Sequence, residues 1–217
     1  MKPPSSLFLK LFLAFTLIGA VIFAVPFGMS SPQHVVLHVP YVPQVFNDNW
    51  VAPWDEACEE ASALMVEAFY EGTLSVPEKT ARTRMEKIFA WEDQTFNTNQ
   101  DTDAAQTMQM IARHTSFRAS VKHNPTVEDI QHELSKQHPV IALVNMYQLY
   151  QEPPAGDSYH VLVITGYDQQ AMTFQVNDPA RKNQRSYPEN VLMEALYDFN
   201  PATAEADGTP TVLFTSP

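Results

Sequence analysis

The chain has 217 residues, 45% hydrophobic and 11% aromatic, enough to bury the core of about one domain. It carries 13 Lys and Arg against 25 Asp and Glu, a formal −12. Residues 1–32 hold only Lys2 and Lys10 and no acid, so the remainder is more acidic still, which excludes nucleic acid and anionic lipid as its main partners.

Lys2 and Lys10 precede an apolar run over 11–25, and residues 7–9 extend it on the other side of Lys10. Residues 11–25 have the length of a signal-peptide core. Counted over 7–27, the run approaches the ~20 residues that span a bilayer, with Lys10 snorkelling. Gly28-Met29-Ser30 offers a small-x-small cleavage site, and no cysteine follows to carry a lipoprotein anchor. Residues 1–32 are therefore expected to be a signal peptide or an N-terminal membrane anchor with a short linker. Residues 33–217 are expected to form one exported, extracytoplasmic domain.

Residues 34–42 alternate roughly and predict an edge strand closed by Pro40 and Pro43. Residues 44–54 predict a loop, with Asn47-Asp48-Asn49 as its turn and Trp50 and Trp54 beside it. From Ala57 the spacing becomes helical: Ala61, Leu64, Met65, Ala68 and Phe69 share one face, and Gly72 ends the helix. Ser75-Val76-Pro77-Glu78 has the pattern of a capping box opening a helix to about Trp91. A further helix spans 101–114, capped by Asp101 or Thr102, and another starts at Thr126 and ends near Pro139. Residues 140–146 are an apolar run with the length of a central strand. Residues 147–158, with Pro153, Pro154 and Gly156, predict a surface loop. Residues 159–168 and 172–178 are two β-rich runs three residues apart, hence a hairpin. A short helix over 188–199 and a strand over 211–215 complete an α+β order, helices first and antiparallel strands after.

Cys58 is the only cysteine in the chain and forms no internal disulfide. Such a thiol is either buried and inert or reactive. Its place at a helix start favours a thiolate, because unpaired N–H groups and the positive end of the dipole lie there. Glu59 and Glu60 oppose this, but at i+1 and i+2 they are expected to turn away toward solvent. In the hairpin, a turn centred on Gln169 sets His160 opposite Asp178, and a register shift of one sets them on a diagonal. A catalytic imidazole needs a partner that fixes its tautomer and orientation, and Asp178 can supply it. The same pair could equally be a structural tie between strands. Gln44 offers a side-chain amide that could hold an oxyanion. The spacing offers no metal-ligating pattern among the remaining histidines and no phosphate-binding glycine loop, so no cofactor and no metal are expected.

Val42-Pro43-Gln44, Trp54…Ala57-Cys58-Glu59-Glu60-Ala61-Ser62, the run from Tyr159 and His160 to Gly166-Tyr167-Asp168, and Val176-Asn177-Asp178-Pro179 together resemble the bacteriocin-processing (double-glycine) peptidase-like family. This is a branch of the papain-like cysteine peptidases. The resemblance implies a papain-like α+β fold, with the helix of Cys58 packed on an antiparallel sheet carrying His160 and Asp178. It implies roles for Gln44 as oxyanion donor, Cys58 as nucleophile, His160 as general base and Asp178 as its orienter. Many members follow the cysteine with Gly-Pro-Ala, where this chain has Glu59-Glu60-Ala61. The expected function is an exported thiol peptidase acting on a peptide or protein substrate through an acyl-enzyme. The alternatives are a cell-wall peptide amidase with the same site and a non-catalytic peptide-binding module on the same scaffold.

Overall fold

The longest strand, Tyr159–Asp168 (β4), is buried from Tyr159 to Tyr167 and has neighbours along both edges. The computed structural model describes residues 32–152, 158–181 and 184–217. The expectations for the first 31 residues and for the Pro153-Pro154 and Gly156 part of the predicted loop therefore lie outside the described residues.

The other strands are His34–Val36 (β1), Arg118–His123 (β2), Val140–Asn145 (β3), Thr173–Asn177 (β5), Arg185–Pro188 (β6) and Thr211–Ser216 (β7). They form one antiparallel sheet in the order β2-β7-β3-β4-β5-β6, with β1 also pairing β4. β3 pairs β4 from Tyr159 to Ile164, and β1 takes Gly166 to Asp168 beyond it. Gly166 permits that approach: a Cβ there would stand 2.3 Å from the Val35 carbonyl oxygen.

Helix Cys58–Tyr70 (α1) packs on β4 and against Glu78–Phe96 (α2). Every residue from Cys58 to Ala68 is buried, because sheet and helix enclose α1 on opposite sides. Gly72, at φ +67°, ends it, and the Thr73 N–H closes onto the Ala68 carbonyl. The remaining helices are Ala104–His114 (α3), Val127–Ser135 (α4), Met146–Tyr150 (α5) and Glu189–Glu194 (α6). The order is the α+β one expected.

Several local expectations are corrected. α2 opens at Glu78 after an extended Pro77, without a Ser75 cap. The residue before a proline avoids the helical region, so Val76 does not serve as a first helical position. α3 opens three residues later than expected, capped by Asp103 in a box with Gln106, because Thr102 is turned onto Glu59. α4 keeps its expected Thr126 cap, boxed with Asp129. Residues 146–150, read as the strand's end and loop, form α5, since the Asn145 side chain accepts from the N–H groups of Tyr147 and Gln148. β2 and β6 were not anticipated. β1 covers only three of the nine residues expected to be extended.

Candidate active site

Cys58 is the first residue of α1, so its backbone N–H lies among the helix's unpaired donors. Its side chain is 2% exposed and lines a cavity of about 380 Å³ together with His160, Gln44, Tyr150, Trp50 and Asp101. The fold thus brings three of the four sequence-derived candidates to one cavity, and the fourth stands directly behind His160.

That fourth residue is Asp178. Its Oδ1 accepts from His160 Nε2 at 2.9 Å and from the Ala180 N–H at 3.0 Å, and its Oδ2 accepts from Tyr150 Oη at 2.7 Å. The pair is not directly opposed but diagonal, the second of the two arrangements expected. Val163 faces Asn177, which places Asp178, just past β5, on the level of Leu162. His160 lies two residues further along the same face, and the side chains close the diagonal. Asp178 is fully buried. Burial alone would raise its pKa, but the charge of His160 and the hydrogen bonds from His160, Tyr150 and Ala180 hold it below the usual carboxylate value. Tyr150, which sequence reasoning assigned to a loop, is the residue missed here. Arg181 lies 3.5 Å above the centre of its ring.

Gln44 is held from two sides. Its backbone N–H bonds the Pro179 carbonyl at 3.1 Å, next to Asp178, and its Nε2 donates to the Asp55 carbonyl at 2.8 Å. One amide hydrogen is thereby engaged, and the side chain remains on the cavity wall. Trp50 is half exposed at the rim, whereas Trp54 packs edge-on between Phe46 and Phe89.

The two glutamates after Cys58 are the main correction. Neither faces solvent: Glu59 is 2% and Glu60 3% exposed. The Cys58 thiol donates to Glu59 Oε2 at 3.0 Å, while Glu59 Oε1 accepts from the Thr102 N–H at 2.8 Å and hydroxyl at 3.1 Å. Glu60 lies against Glu92 of α2; burial and the Glu92 charge push Glu60 well above the usual carboxylate value, and burial pushes Glu92 up to about 7. Burial, then the charges of Glu59 and Asp101, push the Cys58 thiol well above its usual value, contrary to the helix-start expectation. Burial and the Glu60 charge push Glu59 up to about 8. The ligand-type atoms of Cys58, Glu59 and Asp101 all lie within 4.8 Å of one another, the one such grouping among the described residues. Spacing alone does not make it a cation site.

The arrangement brings a buried thiol, an imidazole held through Nε2 by Asp178, and the Gln44 amide to one cleft. A family model described as Peptidase_C39 like matches residues 36–202. Among solved structures, a C39-like peptidase from Bacillus anthracis has a TM-score of 0.56 at 14% identity, covering 86% of this chain and 99% of that one. Xylellain, a cysteine protease from Xylella fastidiosa, has a TM-score of 0.33 at 12% identity, covering 85% and 86%. That second likeness is too loose to bear on the fold. No curated protein matches the chain by sequence.

Proposed function

Because the chain belongs to the Peptidase_C39-like family, we propose that it is a thiol peptidase with Cys58 as nucleophile. The observation that carries this reading is the shared cavity of Cys58 and His160, with His160 Nε2 committed to a buried Asp178. The Cys58 proton passes to His160, and the thiolate attacks the peptide carbonyl carbon. The oxyanion is held by the Cys58 N–H and the Gln44 amide. The imidazolium then protonates the departing amine as the C–N bond breaks, leaving a thioester. Water attacks this acyl-enzyme, His160 takes its proton, and the acid product and thiol separate.

The substrate is a peptide or protein, and the first 32 residues, read from sequence alone, carry the domain across a membrane or anchor it there. A second reading, a peptide-binding module without turnover, is favoured by the raised pKa of the thiol and by its bond to Glu59. A quenched fluorescent peptide library separates the two. Wild type is expected to cleave members of it, and Cys58→Ala to lose at least about a thousandfold. Iodoacetamide is expected to label Cys58 of the wild type at neutral pH far faster than Cys58 of His160→Ala. Equal labelling and no cleavage would establish the binding module.

A further inference from the structure

We propose that Glu59 serves the Cys58 sulfur as a neutral carboxylic acid, its Oε2–H donating to the thiolate during attack. This rests on the thiol-peptidase reading above, and it concerns a residue that stands where many relatives carry glycine.

Thr102 determines which oxygen carries the proton. Its N–H and its hydroxyl both donate to Glu59 Oε1. If the carboxyl is protonated, the oxygen that accepts twice is its carbonyl oxygen, which leaves Oε2 as the hydroxyl. Oε2 is the atom 3.0 Å from the sulfur. Thr102 is itself fixed: its side chain meets Thr107 Oγ1 at 2.9 Å, and its carbonyl accepts from Tyr159 Oη at 2.8 Å. Tyr159 directly precedes His160, so the frame holding Glu59 is tied to the strand that carries the base.

Burial and the neighbouring acids favour the neutral form of Glu59, while the hydrogen bonds from Cys58 and Thr102 oppose it; six groups face it. They are Cys58 and Glu60 from α1, Glu92 from α2, Asp101 and Thr102 from the connection before α3, and Tyr159 from β4. All the titratable ones are acids. Ionised Glu59 accepts the S–H bond and sets a full negative charge against the sulfur, so the thiol stays protonated. With Glu59 protonated, the S–H proton is free to pass to His160 and the contact reverses, Oε2–H donating to S⁻. Glu59 keeps its own proton throughout; the imidazolium alone supplies the leaving amine.

Glu59→Gln tests this in the full-length chain. Glutamine reproduces the neutral acid: Oε1 still accepts from Thr102 and Nε2 donates to the sulfur at every pH. Iodoacetamide alkylation rates of Cys58 are compared from about pH 6 to about pH 9. The variant-to-wild-type ratio is expected to stay near one at the acid end and to reach about tenfold one unit above the Glu59 midpoint, as wild-type Glu59 ionises. A ratio near one throughout, or a large ratio already at about pH 6, overturns the proposal; the latter would make Glu59 an ordinary carboxylate. Glu59→Ala, which lacks the donor, is expected to alkylate more slowly than Glu59→Gln across the range, and an equal rate also counts against the proposal. The ratio judges Glu59, whereas the His160→Ala comparison judges the peptidase reading, so the two fail separately.

Discussion

Asp178 accepts three hydrogen bonds in full burial, and each donor does something different. His160 needs the bond to hold its ring, Ala180 anchors the chain after β5, and Tyr150 satisfies the second oxygen. Asp178→Asn keeps the shape but offers the ring an amide that can present N–H where an acceptor is needed. Peptide hydrolysis is expected to fall by about a hundredfold or more in kcat, with KM little changed, in steady-state assays. Tyr150→Phe leaves Oδ2 buried without its donor and is expected to cost about 1–2 kcal/mol in a urea melt at neutral pH. The sign with pH follows from the depressed pKa of Asp178. Its stabilisation is present above the ordinary aspartate value and is lost as pH falls through the lower folded value. The gap between Tyr150→Phe and wild type is therefore expected to close in acid. At this scale the sequence shows His160 and Asp178 plainly, because a three-residue connection leaves two strands little choice but to pair. It conceals Glu59. The expectation that i+1 and i+2 turn to solvent holds for a surface helix, and α1 is enclosed by β4 on one side and α2 on the other.

Among the elements, legibility follows burial. β4 and β3 are apolar runs and stand where their patterns end them, apart from Met146. β2 shows water to most of its side chains, and β6 has four residues with Tyr187 as its one aromatic side chain, so neither carries an apolar signature. The register of β4 on β5 is likewise not written in the alternation, because an irregularity between Ile164 and Gly166 shifts it partway along. Gly166 lets β1 lie against β4 there, and β1 leads through Leu37 and Val39 to Gln44. The Leu37 N–H bonds the Thr165 carbonyl at 2.7 Å, and the Asn177 amide holds the Val39 carbonyl at 2.9 Å. Gly166→Ala drives a methyl into the Val35 carbonyl. It is expected to cost about 2 kcal/mol or more in thermal or urea unfolding, and to reduce hydrolysis beyond that loss by displacing Gln44. A variant as stable as wild type would mean that β1 yields freely.

On the scale of the whole molecule, the acidity is of two kinds. Most of the 25 acids reach the surface, but among the described residues five are buried: Asp178 behind His160, Glu67 against Arg84, and Glu59, Glu60 and Glu92 around the start of α1. Burial raises the last three: Glu59 to about 8, Glu92 to about 7, and Glu60 well above the usual carboxylate value because Glu92 is beside it. In the unfolded chain they ionise near ~4.3. Between that value and their folded pKa values the native state binds more protons than the unfolded one, so stability falls as pH rises through this interval. Repulsion among the surface acids pulls the same way. The melting temperature is therefore expected to drop steadily from about pH 5 to about pH 8 in scanning calorimetry. Glu92→Gln gives Glu60 a permanently neutral partner that can donate to it. The variant is expected to melt close to wild type at about pH 5, to melt higher at about pH 8, and to flatten the slope between. A wild-type melting temperature that is level or rising over this range would mean that these carboxyls ionise inside the fold at their ordinary values, and that the core around Cys58 is wet.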